Sequence, residues 1–553
     1  MTTPYTRHYS TRCTPQSEPI PGSKQICNSA GGYSFSVDDW TRLDRFLILG
    51  CEGGSYYATE RTLTVQNAEA VRRCVAADGP RTVARIAVVS EAGHAPKNDP
   101  AVFALALAAG MGDAATRSVA LAAVPRVCRT GTHLFGFVQA AEGFRGWGRG
   151  LKRAVGAWYA DREPRELAYQ LAKYQQRGGW SHRDLLRLCH VKLTGPANAA
   201  AQWAVGKGGL PGLETLATSD PLALLAAFEA ANRAATAADI VRLIREYGLV
   251  RECIPTRWLT DATVWDALLE KMPLGAMVRN LATMTRVGLL APGEKAVERV
   301  VAALGDREWL RRSRLHPVSL LVALQTYASG RGARGAGVWT PVPEVLNALD
   351  TAFYAAFAHV EPTGKRWLLA LDVSGSMAGS MVAGVPNLSA REASAAMALV
   401  TAATEPAHHI IGFTGRGHGA GRTGVEPLAI RPGQRLDAVT QMVSGLPMGP
   451  TDCALPMLYA LERKRAVDVF VVYTDSETWH GAVHPVQALR QYRESTGIPA
   501  KLVVMGMVSN EFTLADPDDA GMLDVVGFDM AVPQLLSQFA LQDDLGDGIT
   551  PTF

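Results

Sequence analysis

The chain has 553 residues, 48% of them apolar and 19% charged, enough for two or more domains that each bury a core. No apolar run approaches a membrane span, and the polar start MTTPYTRHYSTRCTPQSEPIPGSK lacks the apolar stretch of a signal peptide, so a cytoplasmic protein with no membrane partner is expected. The net charge of +3 hides an asymmetry: residues 364–553 hold 13 Lys and Arg against 20 Asp and Glu, leaving 42 against 32 in residues 1–363, so any polyanion is expected on the first part.

Residues 1–24 read as a polar N-terminal arm. From about Val37 to Pro362 the period is helical. Ile240, Leu243, Ile244 and Tyr247 fall at i, i+3, i+4, i+7 before Gly248. Trp265, Leu268, Leu269 and Met272 repeat the spacing before Pro273, and Val297, Val300, Val301 and Leu304 repeat it before Gly305. Each is a short helix with one apolar stripe, and many in series favour stacked helical pairs. After residue 363 the pattern changes. Trp367–Leu371, Ile410–Phe413, Val467–Tyr473 and Leu502–Met507 are nearly continuous apolar runs, separated by helical stretches such as Ala390–Ala403 behind the cap Ser389. Buried strands alternating with helices predict a doubly wound, mainly parallel sheet over 364–553.

The first of these strands runs into Asp372-Val373-Ser374-Gly375-Ser376, a DxSxS loop. A second loop carries Gly449-Pro450-Thr451-Asp452, and the VDVFVVY strand ends at Thr474-Asp475. Loops at the carboxyl ends of strands converge in an open α/β sheet, and hydroxyl and carboxylate oxygens are what a hard divalent cation takes. DxSxS alone also describes a helix cap; three such loops in order carry the metal reading. Together they resemble the metal-ion-dependent adhesion site of von Willebrand A domains. The resemblance implies Ser374, Ser376 and Thr451 as direct ligands and Asp372 and Asp475 as carboxylates bound directly or through water. Mg²⁺ is the expected occupant, with one position left for a carboxylate from an unknown protein partner.

Between Arg145 and Lys192 lie 11 Lys and Arg against 4 Asp and Glu, interleaved with Trp147, Trp158, Tyr159, Tyr169, Tyr174 and Trp180. Basic groups neutralise phosphates and aromatic faces stack on unpaired bases, although composition leaves open a plain basic face over core aromatics. The candidates are Arg149, Lys152, Arg153, Lys173, Arg177, Arg183, Arg187, His190 and Lys192. Lys173 and Arg177, four apart, are expected on one helical face.

Several segments here resemble the TROVE module of the Ro autoantigen family: Leu171–Lys192 (LAKYQQRGGWSHRDLLRLCHVK), Ser55-Tyr56-Tyr57, His133-Leu134-Phe135, Trp147–Tyr159 and Ala352–Arg366. TDCALPM, YTDSETWHG, VHP, IPAKLVV and FTLADPDDAGMLDVVGFD extend the resemblance through the C-terminal part, so that it covers about Gln25 to Phe539. It implies an α-helical ring of HEAT-like repeats over 25–363, followed by a von Willebrand A domain over 364–553. It also implies Y-like small RNAs on a basic outer surface and single-stranded 3′ ends of misfolded RNA in the ring's hole. A 3′ exonuclease such as polynucleotide phosphorylase is an implied partner in RNA quality control. Lys173, Arg177 and His190 match the family's Y RNA contacts. The long polar arm and the Gly-rich loop Gly330–Gly337 depart from the family pattern.

No enzyme is expected. Gly415–Gly421 (GRGHGAG) is not followed by a GK[ST] step, and Cys453 shows no nucleophile–base spacing with His408, His409, His480 or His484. The eight cysteines, from Cys13 to Cys453, form no CxxC or zinc-type cluster and read as reduced thiols. The alternative is a metal-dependent protein-interaction scaffold without an RNA function.

Overall fold

Short apolar runs become buried strands wherever helices can cover both faces of a sheet. The computed structural model describes residues 13–49, 68–95, 97–313, 315–332, 337–357, 361–380, 388–417, 423–508, 510–526 and 532–542. In chain order its strands are β1 (Gln25–Cys27), β2 (Tyr33–Ser36), β3 (Gln176–Arg177), β4 (Trp180–Ser181), β5 (Trp367–Asp372) and β6 (His408–Phe413). There follow β7 (Val425–Pro427), β8 (Val469–Thr474), β9 (Lys501–Gly506), β10 (Phe512–Thr513) and β11 (Met522–Val526). The main sheet has the order β11-β9-β8-β5-β6-β7, parallel except for the antiparallel edge strand β7. Every residue of β5, β8 and β9 is buried. The helix Ala390–Thr404 starts at a Ser389/Glu392 capping box, which satisfies orphan N–H groups at its first turn.

The chain leaves β5 for β6 on one side and returns to β8 on the other. The strand order therefore reverses at β5, and the crevice at the carboxyl ends of β5 and β8 is where an open sheet places a ligand.

The N-terminal boundary differs from the sequence expectation. Residues 1–62 group with 356–553, and the helical unit runs from Leu63 to Ala355. Among the described residues, β1 and β2 join β10 in an antiparallel sheet, and the helix Asp39–Leu49 packs on β11. Arg45, 1% exposed, reaches from that helix to both Asp524 carboxylate oxygens at 2.8 and 2.9 Å and to the carbonyls of Asn510 and Phe512 at 2.6 and 3.0 Å. The division at 24/25 is therefore not a structural one, because hydrogen bonds to residues hundreds of positions away recruit this segment. The charge split persists: residues 63–355 hold 36 Lys and Arg against 25 Asp and Glu, a net of +11.

The helical unit is built as its periodicity predicts. Ala237–Tyr247 begins at a Thr236/Asp239 capping box and ends where Gly248 takes φ 70°. Ala262–Leu269 stops short of Met272, and Lys295–Gly305 includes the glycine expected to end it. Packing joins helices close in sequence: Glu69–Ala92 with Asp99–Met111, Ala237–Tyr247 with Ala262–Leu269, and Pro317–Ala328 with Pro343–Ala355. Among the described residues no helix is long and apolar enough to cross a membrane.

Candidate functional site

Ser374, Gly375, Ser376, Gly449, Pro450 and Thr451 line one pocket of about 660 Å³ at the carboxyl end of the main sheet. Ser374 Oγ and Ser376 Oγ stand 3.1 Å apart. Asp372 and Asp475 lie buried behind these hydroxyls. Asp372 accepts from the Ser374 N–H at 2.9 Å and from Thr474 Oγ1 at 2.7 Å, and Asp475 is hydrogen-bonded to Ser376. Burial, and then the Asp475 charge, push Asp372 up to about 7, and burial raises Asp475 as well. Two buried carboxylates with three nearby hydroxyls fit a hard divalent cation, whose charge would offset their mutual repulsion. Among the described residues no cluster of three or more His, Cys, Asp or Glu side chains could hold a metal.

The N-terminal segment braces this pocket, which the sequence reading missed. Gln16 Nε2 donates to Asp452 Oδ1 and to the Val483 carbonyl, both at 2.7 Å, and Thr478 Oγ1 donates to Gln16 Oε1. Asn28 Nδ2 donates to the Thr478 carbonyl at 2.8 Å, and Ser34 Oγ to the Ser476 carbonyl at 2.9 Å. The latter bond holds a non-glycine residue at φ 62°, directly after Asp475. A Cβ on Gly32 would lie 2.0 Å from the Thr478 carbonyl oxygen, so only glycine permits this approach. Ser29 and Ala30 line the pocket beside Glu477, Trp479 and His480. No local motif announces such a contact; Gln16, Asn28 and Ser34 read only as polar residues.

The basic candidates fall on one hairpin, on three helices and just beyond the last of these helices. Lys173 ends the helix Pro164–Lys173, half-buried, with Nζ 2.8 Å from the Tyr169 hydroxyl and above the rings of Tyr169 and Tyr174. Arg177 does not share its helical face. It lies on β3, because the helix ends at Lys173 and Gly178 and Gly179 (φ 58° and 83°) turn the chain into β4. Arg177 is exposed and meets Asp99 at 3.4 Å. His190 is exposed and caps the helix His182–Cys189 at φ 51°. Arg183 and Arg187 are exposed on that helix, and Lys192 is exposed beyond it. Arg149 and Arg153 are exposed, and Lys152 half-buried, on the helix Arg149–Ala160, which packs against His182–Cys189.

Two of the six aromatics are core. Trp158 and Tyr159 are fully buried, with Trp158 Nε1 donating to the Cys128 carbonyl and the Tyr159 hydroxyl 2.7 Å from His182 Nδ1. Trp147, Tyr169, Tyr174 and Trp180 are half-buried, and the Trp147 and Trp180 rings lie 5.7 Å apart. The sequence reading also missed the surroundings of Arg177. Asp99 and Arg177 both act on His133, which burial holds at a pKa of about 4.

Cys453 is fully buried, its thiol pushed far up by burial, and Thr474 Oγ1 lies 3.6 Å from its sulfur. His408, His409 and His484 bond instead to the Glu405 carbonyl, the Tyr459 hydroxyl and the Glu18 carbonyl. Ser55-Tyr56-Tyr57 and parts of the loops Gly330–Gly337 and Gly415–Gly421 lie outside the described residues.

A family model described as the Ro60 vWA domain matches residues 366–540, and one described as the TROVE domain matches 26–215 and 241–328. The TROVE match thus begins within the segment that folds with the C-terminal unit. The "RNA-binding protein RO60" of Deinococcus radiodurans is 42% identical over 528 residues, covering 95% of this chain and 97% of its own length. The Caenorhabditis elegans protein of the same name is 36% identical over 589 residues, covering 93% and 90%. The crystal structure of the Deinococcus radiodurans RO (RSR) protein matches with a TM-score of 0.69 at 41% identity, covering 91% of this chain and 99% of that one. With family models matching both parts and relatives more than one-third identical along nearly all of its length, this chain belongs to the Ro60 family and joins a TROVE domain to a von Willebrand A domain.

Proposed function

We propose that this chain is an RNA-binding protein whose helical unit holds small, structured, Y-like RNA. The observation that carries the reading is the set of exposed basic side chains on β3 and on the helices Arg149–Ala160 and His182–Cys189, within a unit of net +11. The name of the two relatives supports it. Single-stranded 3′ ends of misfolded RNA are the second ligand class of this reading, and a 3′ exonuclease such as polynucleotide phosphorylase is the partner reached through the RNA. Half-buried aromatics beside the basic groups suit unpaired bases.

Replacing Lys173 and Arg177 together with alanine is expected to weaken binding of a structured RNA about tenfold or more and to lower the slope of log affinity against log salt. Electrophoretic mobility shifts over a salt series measure both. Wild-type affinity and slope in the folded double variant would reject the assignment. If the wild-type chain has no salt-dependent RNA affinity, the metal-dependent scaffold becomes the standing reading.

The pocket at β5 and β8 is assigned, in the same reading, to a divalent cation, Mg²⁺ by its hydroxyl-rich donors, and to a carboxylate of a protein partner. When bound, the cation supplies an open coordination position for that carboxylate. Ser374, Ser376 and Thr451 would hold it, with Asp372 and Asp475 balancing its charge. Asp372→Ala is expected to reduce Mg²⁺ or Mn²⁺ affinity at least tenfold by titration calorimetry. RNA affinity should stay within about twofold, ~0.4 kcal/mol, because the site sits in the acidic unit. A tenfold loss of RNA affinity in the folded variant would place the metal in RNA binding instead.

A further inference from the structure

A second pocket, of about 220 Å³, opens in the helical unit between the helices Asp99–Met111, Ala114–Ala122, Gly131–Arg145 and Arg149–Ala160. Three arginines, Arg117, Arg145 and Arg149, line it, and among the described residues no carboxylate does. Its remaining walls are glycine, alanine and leucine. Arg117 Nη2 donates to the Gly112 carbonyl at 3.1 Å and Arg145 Nη1 to the Gly110 carbonyl at 3.4 Å, so backbone oxygens aim both guanidinium groups without neutralising them. Arg117 Nε is buried without a hydrogen-bond partner among the described residues. Arg117 helps to lower Asp113, which caps the helix through Thr116 and is not in the wall. Arg149 is exposed.

The pocket also contains the start of the 12-residue helix Arg149–Ala160, whose N-cap, Gly148, provides no side-chain acceptor. The first intrahelical bond is Lys152 N–H to the Gly148 carbonyl at 3.1 Å, which leaves the N–H groups of Arg149, Gly150 and Leu151 outside the helical ladder. Three cations, uncapped amides and a cavity with no acid in its wall together describe a receptor for a tetrahedral oxyanion. Next to it, Trp147 approaches Trp180 of the Arg177 hairpin, so the pocket continues the proposed RNA surface.

We infer that Arg117, Arg145 and Arg149, with the amides of the following helix, hold one phosphate group of bound RNA. The inference rests on the RNA-binding reading and adds Arg117, which lies outside the basic stretch of 145–192. A phosphodiester in the strand and a 5′-terminal phosphate share the required chemistry. The full chain is therefore tested against one structured RNA made with a 5′-hydroxyl and with a 5′-monophosphate.

Arg149→Ala, which removes no bond described in the fold, and Arg117→Gln are each expected to weaken RNA binding on the order of tenfold at low salt and to lower the salt slope by about 0.9. Equal losses on both RNAs assign the pocket to a backbone phosphate. Losses confined to the 5′-phosphorylated RNA assign it to the terminus. Arg149→Lys should retain part of the affinity as a point charge. Folded variants that keep wild-type affinity and slope on both RNAs overturn the pocket while the RNA reading stands. A wild-type chain that binds neither RNA overturns the reading beneath it.

Discussion

Arg45→Ala is expected to lower the unfolding free energy of the von Willebrand A unit by about 3–5 kcal/mol, the range for a buried ion pair deprived of one partner. Arg45 is 1% exposed, and its guanidinium makes the two bonds to Asp524 and those to the Asn510 and Phe512 carbonyls. Alanine strands the Asp524 carboxylate, which is mostly buried, and leaves carbonyls unpaired at the edge of the sheet. The loss should extend to the pocket at β5 and β8, because Asn510 also donates from Nδ2 to the Asp475 carbonyl. Calorimetric melting of the full chain, with and without Mg²⁺, reads both effects. A loss below about 1 kcal/mol would mean that water enters and replaces the guanidinium. The Arg45→Met/Asp524→Leu pair should recover much of the stability, since it leaves no buried charge behind.

Acid should destabilise the helical unit before its carboxylates titrate. Burial holds the His182 imidazole at a pKa of about 4, against about 6.5 in an unfolded chain. The folded state therefore disfavours the proton. The stabilisation is complete above pH 6.5 and is lost as pH falls from 6.5 through 4, a total of about 3 kcal/mol. The groups around the ring explain the sign: Trp158, Phe135 and Tyr159 pack on it, the Tyr159 hydroxyl is 2.7 Å from Nδ1, and the Arg162 cation repels a second positive charge. Urea unfolding at half-unit pH steps should show the decline, and His182→Phe should flatten it. His133, also held at about 4, keeps a residual slope in the same window. An unchanged profile in His182→Phe would assign the acid sensitivity elsewhere.

Local periodicity and loop chemistry determined a large part of this protein. Both faces of β5, β8 and β9 are covered, so their runs read as unbroken apolar sequence, and Ser389 and Gly248 bracket helices by capping rules that need only neighbours in the chain. The residues gathered around the pocket at β5 and β8 were legible for the same reason. The DxSxS loop, Thr451 and Asp475 each follow an element that the pattern identifies, and strand order then brings them to one crevice.

Tertiary structure decided what depends on partners far along the chain. Arg177 left the helical face of Lys173 because two glycines with positive φ form a hairpin, a turn preference that outweighs i, i+4 spacing. Trp158 and Tyr159 entered the core although they sit in a basic stretch, since a helix has a buried side that composition does not mark. Gln16, Asn28, Ser34 and Arg45 joined the von Willebrand A unit through hydrogen bonds spanning more than 400 residues. Arg117 reached the pocket of Arg145 and Arg149 only by helix packing. Hydrogen bonds and charges act through space at a few ångströms, and separation along the chain sets no limit on which groups meet.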